Sequence, residues 1–304
     1  MRIHHLNCGT MQPVGGRLIN GNRLPFQTAR MICHCLLIET DQGLVLVDTG
    51  VGLRDIANPG QSLGREFLFL TRPRLDPAET AVRQVTGLGY AVDDVRHIVL
   101  THLDLDHAGG LPDFPKAKVH LHATEHQAAM RAATRAERLR YRAGQWAHGP
   151  DWVTYHPTGG DHWFGFEAVR QLRGISADIA LIPLPGHTHG HTGVAVRRHE
   201  ETESATGPRW LLHAGDAYFS HGEIDPLAPR STPGLALFQT LVQADGPARH
   251  RNQARLRELA RDHGDQIEIF SAHDPVELDR YRQNEPRSET STSWPYKLRT
   301  CTMS

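Results

Sequence analysis

The alternation of apolar and polar positions divides the chain into short β-type runs separated by helical ones. From 31 to 48, MICHCLLIETDQGLVLVD reads as two β-branched and leucine-rich runs joined at Thr40, Asp41, Gln42 and Gly43. Polar turn residues between such runs predict a hairpin, which brings Asp48 and Gly50 to a strand end. LDPAETAVRQVTGLG predicts a helix with Asp76 as N-cap, Pro77 in the first helical position, Glu79 completing a capping box and Gly87 or Gly89 as the stop. VRHIVLTH (95–102) and AKVHLHA read as short buried strands, and one helix is expected from about Thr124 to Arg140. Further strands are expected at DIALIPL, GVAVRR, RWLLHA and QIEIFSA, with helices near 235–243 and 247–263. Strands alternating with helices in both halves define an α/β class.

Two stretches depart from this pattern. Residues 141–166 place three of the five tryptophans among Gly, Pro and His, and are expected to form a long aromatic loop or lid. Trp146, Trp152, Tyr155 and Trp163 are its candidates for a substrate pocket wall. Residues 285–304 are polar and read as a tail, so a single domain is expected over 1–284. No repeat of solenoid period is present.

Composition narrows the chemistry. At 304 residues and 39% apolar content, the chain can bury a full core. With 33 basic against 34 acidic residues, no global field draws it to nucleic acid or acidic membranes, and a small-molecule substrate becomes the default. Cys8, Cys33, Cys35 and Cys301 form no CxxC pair, and the start MRIHHLNCGT lacks a basic and apolar export signal. A reducing, cytoplasmic location is therefore expected, with Cys33 and Cys35 as buried packing thiols on one side of a strand. No run approaches the roughly 18 apolar residues of a membrane span. The unusual number is 21 histidines, because histidine is the commonest metal ligand.

Their placement carries the signal. THLDLDHAGG (101–110) puts His102, Asp104, Asp106 and His107 into six positions directly after an apolar strand. Side chains two apart in extended backbone share a face, so His102 and Asp104 converge, while Asp106 and His107 aim at a second point from a turn that Gly109 and Gly110 permit. LIPLPGHTHGHTG ends another strand and presents His187, His189 and His191. RWLLHAGDAYF ends at Asp216, and IEIFSAHDP at His273. Four strand ends carrying His or Asp describe one rim, the usual location of sites in α/β proteins.

In these motifs and their order, over roughly residues 31–275, the chain resembles the metallo-β-lactamase superfamily, whose signature is HxHxDH, a PGHTxGH-like turn, a lone Asp and a final His. The resemblance implies an αββα four-layer sandwich, two mixed β-sheets face to face with helices on both outer faces. It also implies two divalent metal ions, zinc first and manganese or iron as alternatives. By the same resemblance the first ion takes His102, Asp104 and His187, the second Asp106, His107 and His273, and Asp216 bridges them. Asp48 and His191 would orient ligands rather than bind metal, and His189 has no counterpart.

One position departs from the family: Asp104 stands where a second histidine belongs. Three aspartates and a bridging hydroxide then neutralise two dications, where an imidazole would leave one positive charge. The departure should weaken the first ion as a Lewis acid and favour harder metals. The implied activity is hydrolysis of a lactone or related ester by a metal-bridging hydroxide, with Asp106 passing a proton to the leaving group. Tyr218 is the candidate donor to the substrate carbonyl, although quorum-signal lactonases of the family carry a tyrosine three residues after the bridging Asp rather than two. A thioester hydrolase, or an iron-dependent oxygenase or ligand sensor on the same fold, is the alternative. The aromatic stretch and the tail offer surfaces for a homodimer.

Overall fold

A computed structural model describes residues 1–21, 27–156, 158–175, 178–198 and 209–284. The expected polar tail lies outside the described residues. Two six-stranded sheets dominate. The first runs, in spatial order, through β1 (Ile3–Met11), β2 (Met31–Thr40), β3 (Gly43–Val47), β4 (Val95–Val99), β5 (Lys118–His122) and β6 (Asp151–Tyr155). Its first three strands pair antiparallel and the others parallel. The second contains β7 (Asp161–Trp163), β8 (Phe166–Gln171), β9 (Ile179–Pro183), β10 (Thr192–Arg197), β11 (Trp210–His213) and β12 (Ile267–Phe270), in the spatial order β12 to β7. Only β11 and β12 pair parallel there.

Residue parity shows how the layers stack. Leu36, Ile38, Val45, Val47 and Val99 from the first sheet share one buried cluster with Leu181, Val194, Val196, Leu211 and Phe270 from the second. Their neighbours Cys35, Leu37, Leu44, Leu46 and Ile98 fall in a different cluster, with Ala81, Val85 and Ala129 from helices Ala81–Gly87 and Ala123–Arg131. On the far side Ala180, Ile182, Ala195 and Leu212 pack with Leu256 and Leu259 of helix Gly246–His263. A strand buried on both faces needs apolar residues at every position, which is why these segments read as continuous hydrophobic runs. The expected αββα sandwich is the fold this chain adopts.

Three local expectations are corrected. The helix expected after Asp76 is two pieces, a 3-10 turn Pro77–Glu79 and the helix Ala81–Gly87. Glu79 does not close a capping box; its carboxylate accepts from Thr10 Oγ1 at 2.9 Å and so ties the turn to β1. The helix expected from Thr124 to Arg140 breaks into Ala123–Arg131 and Arg135–Arg140. Thr134 caps the second piece, accepting from Glu137 N at 3.1 Å while Glu137 accepts from Thr134 N at 2.8 Å. The T-x-x-E spacing was there to be read.

The third correction concerns residues 141–166, which are not a loop. They contain β6, which edges the first sheet, and β7, which edges the second. The β-propensity of Trp, Val, Thr and Tyr at 152–155 outweighs the neighbouring Gly and Pro. Trp146 is buried in the helix-facing core of the first sheet, and Trp152 packs against that core. Tyr155 lies between the sheets, while Trp163 packs on the outer side of the second sheet beside Phe164 and Trp210. These four aromatics therefore sit in three separate clusters and do not line one pocket.

Candidate metal centre

The rim expected from the sequence assembles where strands of both sheets end. Asp48 follows β3, His102 follows β4, His187 follows β9, Asp216 follows β11 and His273 follows β12. Thr192 N donates to Thr101 O at 2.9 Å, tying the start of β10 in the second sheet to the end of β4 in the first, and Ala272 N donates to Gly215 O at 3.0 Å, joining the ends of neighbouring β11 and β12. Asp216 is the hub. Its Oδ2 lies 3.1 Å from His273 Nε2, 3.4 Å from His187 Nε2 and 3.8 Å from His102 Nε2, and its Oδ1 lies 3.3 Å from His107 Nε2.

Donor atoms within 4.8 Å of one another form three groups among the described residues: His102 with Asp104 and His187, His102 with His107 and Asp216, and Cys33 with Asp106 and His273. The first is the triad expected for one ion. The set Asp106, His107 and His273 does not form such a group; His107 joins His102 and Asp216, and Asp106 and His273 join Cys33 instead. His102 Nε2, His107 Nε2, Asp104 Oδ1 and Asp216 Oδ1 are buried without any hydrogen-bond partner. Buried polar atoms left unpaired cost stability; Asp104 Oδ1 is met by the Arg140 guanidinium, and the other three belong to the His102, His107 and Asp216 group and fit a site for a cation.

Hydrogen bonds behind the rim prepare those nitrogens. Asp48 accepts from Thr101 N and Thr101 Oγ1, each at 2.8 Å, and from His107 Nδ1 at 2.8 Å. Since the Thr101 hydroxyl spends its proton on Asp48, it accepts from His102 Nδ1 at 2.9 Å. In their neutral form both imidazoles carry the proton on Nδ1 and turn Nε2 inward as a ligand. Asp48 occupies a left-handed backbone conformation, φ 54°, which orients its carboxylate into the turn. His191 is fully engaged, donating from Nδ1 to Leu184 O at 3.0 Å and accepting on Nε2 from Asp216 N at 2.9 Å. It holds the Asp216 turn and has no nitrogen left for an ion. Gly215, at φ +55°, makes that turn feasible, because a Cβ there would stand 2.6 Å from His191 Nε2. His189 is exposed.

Charge is concentrated in this rim. Burial pushes the Asp216 carboxyl up, but His273, His107 and His187 outweigh it and hold the group well below the usual range. Burial likewise opposes ionisation of Asp104, and Arg140 followed by His102 brings it well below its ordinary value. For His107 burial favours the neutral ring, yet Asp216 and Asp48 raise it well above normal.

Arg140 and Glu125 are absent from the sequence reading. Arg140 Nε lies 3.4 Å from Asp104 Oδ1, and its Nη1 donates to His187 O at 2.8 Å. The cation offsets the extra carboxylate that Asp104 introduces, so the charge expected from the ligands alone is one unit too negative. It lies at the end of helix Arg135–Arg140, and no motif in the sequence pairs it with Asp104. Glu125, fully buried, accepts from Leu103 N at 3.0 Å, Thr188 Oγ1 at 2.7 Å and Gly190 N at 3.2 Å. It therefore fastens the 102–107 turn to the 187–191 turn. A buried Glu in the first turn of a helix leaves no distinctive trace in a sequence.

Tyr218 does not face the rim. Its hydroxyl donates to Glu277 Oε1 at 2.9 Å, and the ring is fully buried in the outer core of the second sheet. The adjacent ring, Phe219, borders the site instead, with its centroid 4.9 Å from His273 and 5.9 Å from His187. Neighbouring side chains diverge here, so the two positions exchange roles. The position three after Asp216 carries no hydroxyl in this chain.

Comparison with known proteins places the chain in a family. The family model for the metallo-β-lactamase superfamily matches residues 29–202. A Mycobacterium tuberculosis protein named "Probable metallo-hydrolase" is 44% identical over 280 residues, covering 90% of this chain and 81% of that protein. The N-acyl homoserine lactonase AiiA of Bacillus thuringiensis subsp. kurstaki is 30% identical over 187 residues, 62% of this chain and 65% of the lactonase. The structure of an N-acyl homoserine lactone hydrolase with N-hexanoyl-L-homoserine at its catalytic metal centre superposes with a TM-score of 0.64 at 21% identity, covering 91% and 95% of the two chains. The chain belongs to the metallo-β-lactamase superfamily, and its relatives include proteins named as metallo-hydrolases and as lactonases. None of its described helices is long and apolar enough to cross a membrane.

Proposed function

We propose that the protein is a metal-dependent hydrolase that opens a lactone, or cleaves a related ester, of a small molecule. The observation that carries this reading is the convergence of four buried histidines on Asp216, with His102 Nε2, His107 Nε2 and Asp216 Oδ1 buried and without hydrogen-bond partners. In this reading His102, Asp104 and His187 hold one divalent ion, Asp106, His107 and His273 hold the other, and Asp216 faces both. Zinc is the first choice. The chemistry that bound divalent ions supply is polarisation of a carbonyl and activation of water near neutral pH.

The chain's own residues do the rest. Asp48 and Thr101 keep the His102 and His107 rings in the tautomer that binds. Arg140 orients Asp104 and cancels part of its charge. Asp106, whose Oδ2 lies 3.8 Å from His273 Nε2, is the rim carboxylate placed to return a proton to the oxygen that ring opening liberates. Phe219 borders the site with an apolar ring, so this position supplies no hydrogen bond to a substrate. The test is acid release from a panel of lactones, esters and thioesters by zinc- or manganese-loaded protein, with Asp216→Ala as the control. Hydrolysis lost in that variant supports the reading. Protein that holds metal and turns over nothing in the panel, or a coloured iron form that consumes oxygen, overturns it.

A further inference from the structure

We propose that Cys33 is a metal ligand at the second position, so that this ion is held by a thiolate together with Asp106 and His273. The proposal rests on the two-ion reading above. Cys33 Sγ, a carboxylate oxygen of Asp106 and a ring nitrogen of His273 all lie within 4.8 Å of one another, and all three residues are buried. Donors on one tetrahedral zinc stand roughly 3.3–3.7 Å apart, given bonds of about 2.0–2.3 Å. Adjustment on the order of an ångström closes this group around an ion.

Backbone contacts place the three together. His34 N donates to Ala272 O at 2.8 Å and Ile32 N to His273 O at 3.4 Å, laying the 272–273 peptide beside β2. His273 Nδ1 donates to Ile32 O at 2.7 Å, which turns Nε2 towards Asp216 Oδ2 at 3.1 Å and Asp106 Oδ2 at 3.8 Å. Gly9 supplies room for the sulfur: a Cβ there would stand 3.2 Å from Cys33 Sγ and 3.1 Å from Val51. Cys35, by contrast, is engaged with Cys8.

Binding breaks the S–H bond, forms a sulfur–metal bond and releases the proton to solvent. The two positions then differ in kind. His102, Asp104 and His187 offer nitrogen and oxygen, whereas the second position adds a soft sulfur that selects zinc or cadmium over manganese.

Cobalt(II) loaded without oxygen into metal-free protein carrying Cys301→Ser reports the thiolate through an intense near-ultraviolet charge-transfer band. The band should appear as cobalt fills the site, persist in Cys8→Ser and Cys35→Ser, and vanish in Cys33→Ser. Cys33→Ser should also weaken the affinity for one of two zinc ions by at least about tenfold, leaving the other unchanged. If Cys33→Ser does not fold, the variant retaining Cys33 as its single cysteine must still show the band. Two cobalt ions bound without the band, or a band surviving Cys33→Ser, overturns the assignment while leaving the hydrolase reading intact. Failure to bind cobalt at all overturns both.

Discussion

Two sets of buried histidines divide this molecule. At the rim, His102, His107, His187 and His273 each lie within 4 Å of a carboxylate oxygen. Between and beneath the strands, His5 meets His34 at 2.9 Å, His97 meets His120 at 2.9 Å, and His120 meets the Tyr155 hydroxyl at 2.9 Å. His213 donates to the His34 carbonyl at 2.6 Å. These interior rings bond to one another, to a phenol or to backbone. Their titration diverges accordingly: burial drives His5 and His120 down to about 3 and His122 to about 4, whereas carboxylates raise His107 and His273 against the same burial. Burial lowers every one of these rings, and a neighbouring carboxylate opposes it, outweighing burial at His107 and His273 but not at His187. A high histidine count is therefore no metal signature by itself. Position just past a strand end, beside Asp, is.

The largest test of that contrast is on the rim. Arg140→Met leaves the Asp104 carboxylate without its cation, and should lower the unfolding free energy of metal-free protein by about 3–5 kcal/mol, read from denaturant midpoints. Adding Asp104→His to that variant should recover more than half of the loss, since neither charge remains. No recovery would show that Arg140 acts only through its carbonyl contacts.

The interior set makes the next prediction. In the unfolded chain His120 takes up a proton below about 6.5, and in the folded chain only near 3, so its contribution to stability is full above 6.5 and lost as pH falls towards 3. His120→Gln keeps a polar partner for Tyr155 and does not titrate. Between pH 6.5 and 4, metal-free variant should lose less stability than metal-free wild type, by up to about 3 kcal/mol. Parallel curves would place that histidine among the protonated ones.

Asp48→Asn probes the support behind the rim. Removing the charge that fixes the His107 and His102 tautomers should weaken metal binding by about 10- to 100-fold, measured by competition with a chelator, while leaving the fold intact. The smallest effect is expected at Tyr218→Phe. Losing its bond to Glu277 should cost about 1 kcal/mol and leave hydrolysis within a few-fold of wild type. A loss of two orders of magnitude in rate would return Tyr218 to the site.

Much of this was legible in the chain, and the failures have physical causes. His102, His187, Asp216 and His273 could be located because each is the first ligand-type residue past an apolar run. Tyr218 was misplaced because neighbouring side chains just past a strand point to different layers, and one position decides between core and rim. Residues 141–166 were misread because glycine and proline mark turns equally well inside a loop and between short edge strands.

The periodicity of the sequence determined the alternation of strands and helices, and the order of its motifs, by their resemblance to the family, implied the sandwich and the candidate ligands at the strand ends, because those features are local in the chain. Only the tertiary structure decided that Arg140 neutralises Asp104, that Glu125 joins two turns, that His191 is already occupied and that Cys33 stands beside Asp106 and His273. Each of those contacts joins residues from different elements, with no spacing that records it. Its energy depends on burial and on charges that come near only when the two sheets close.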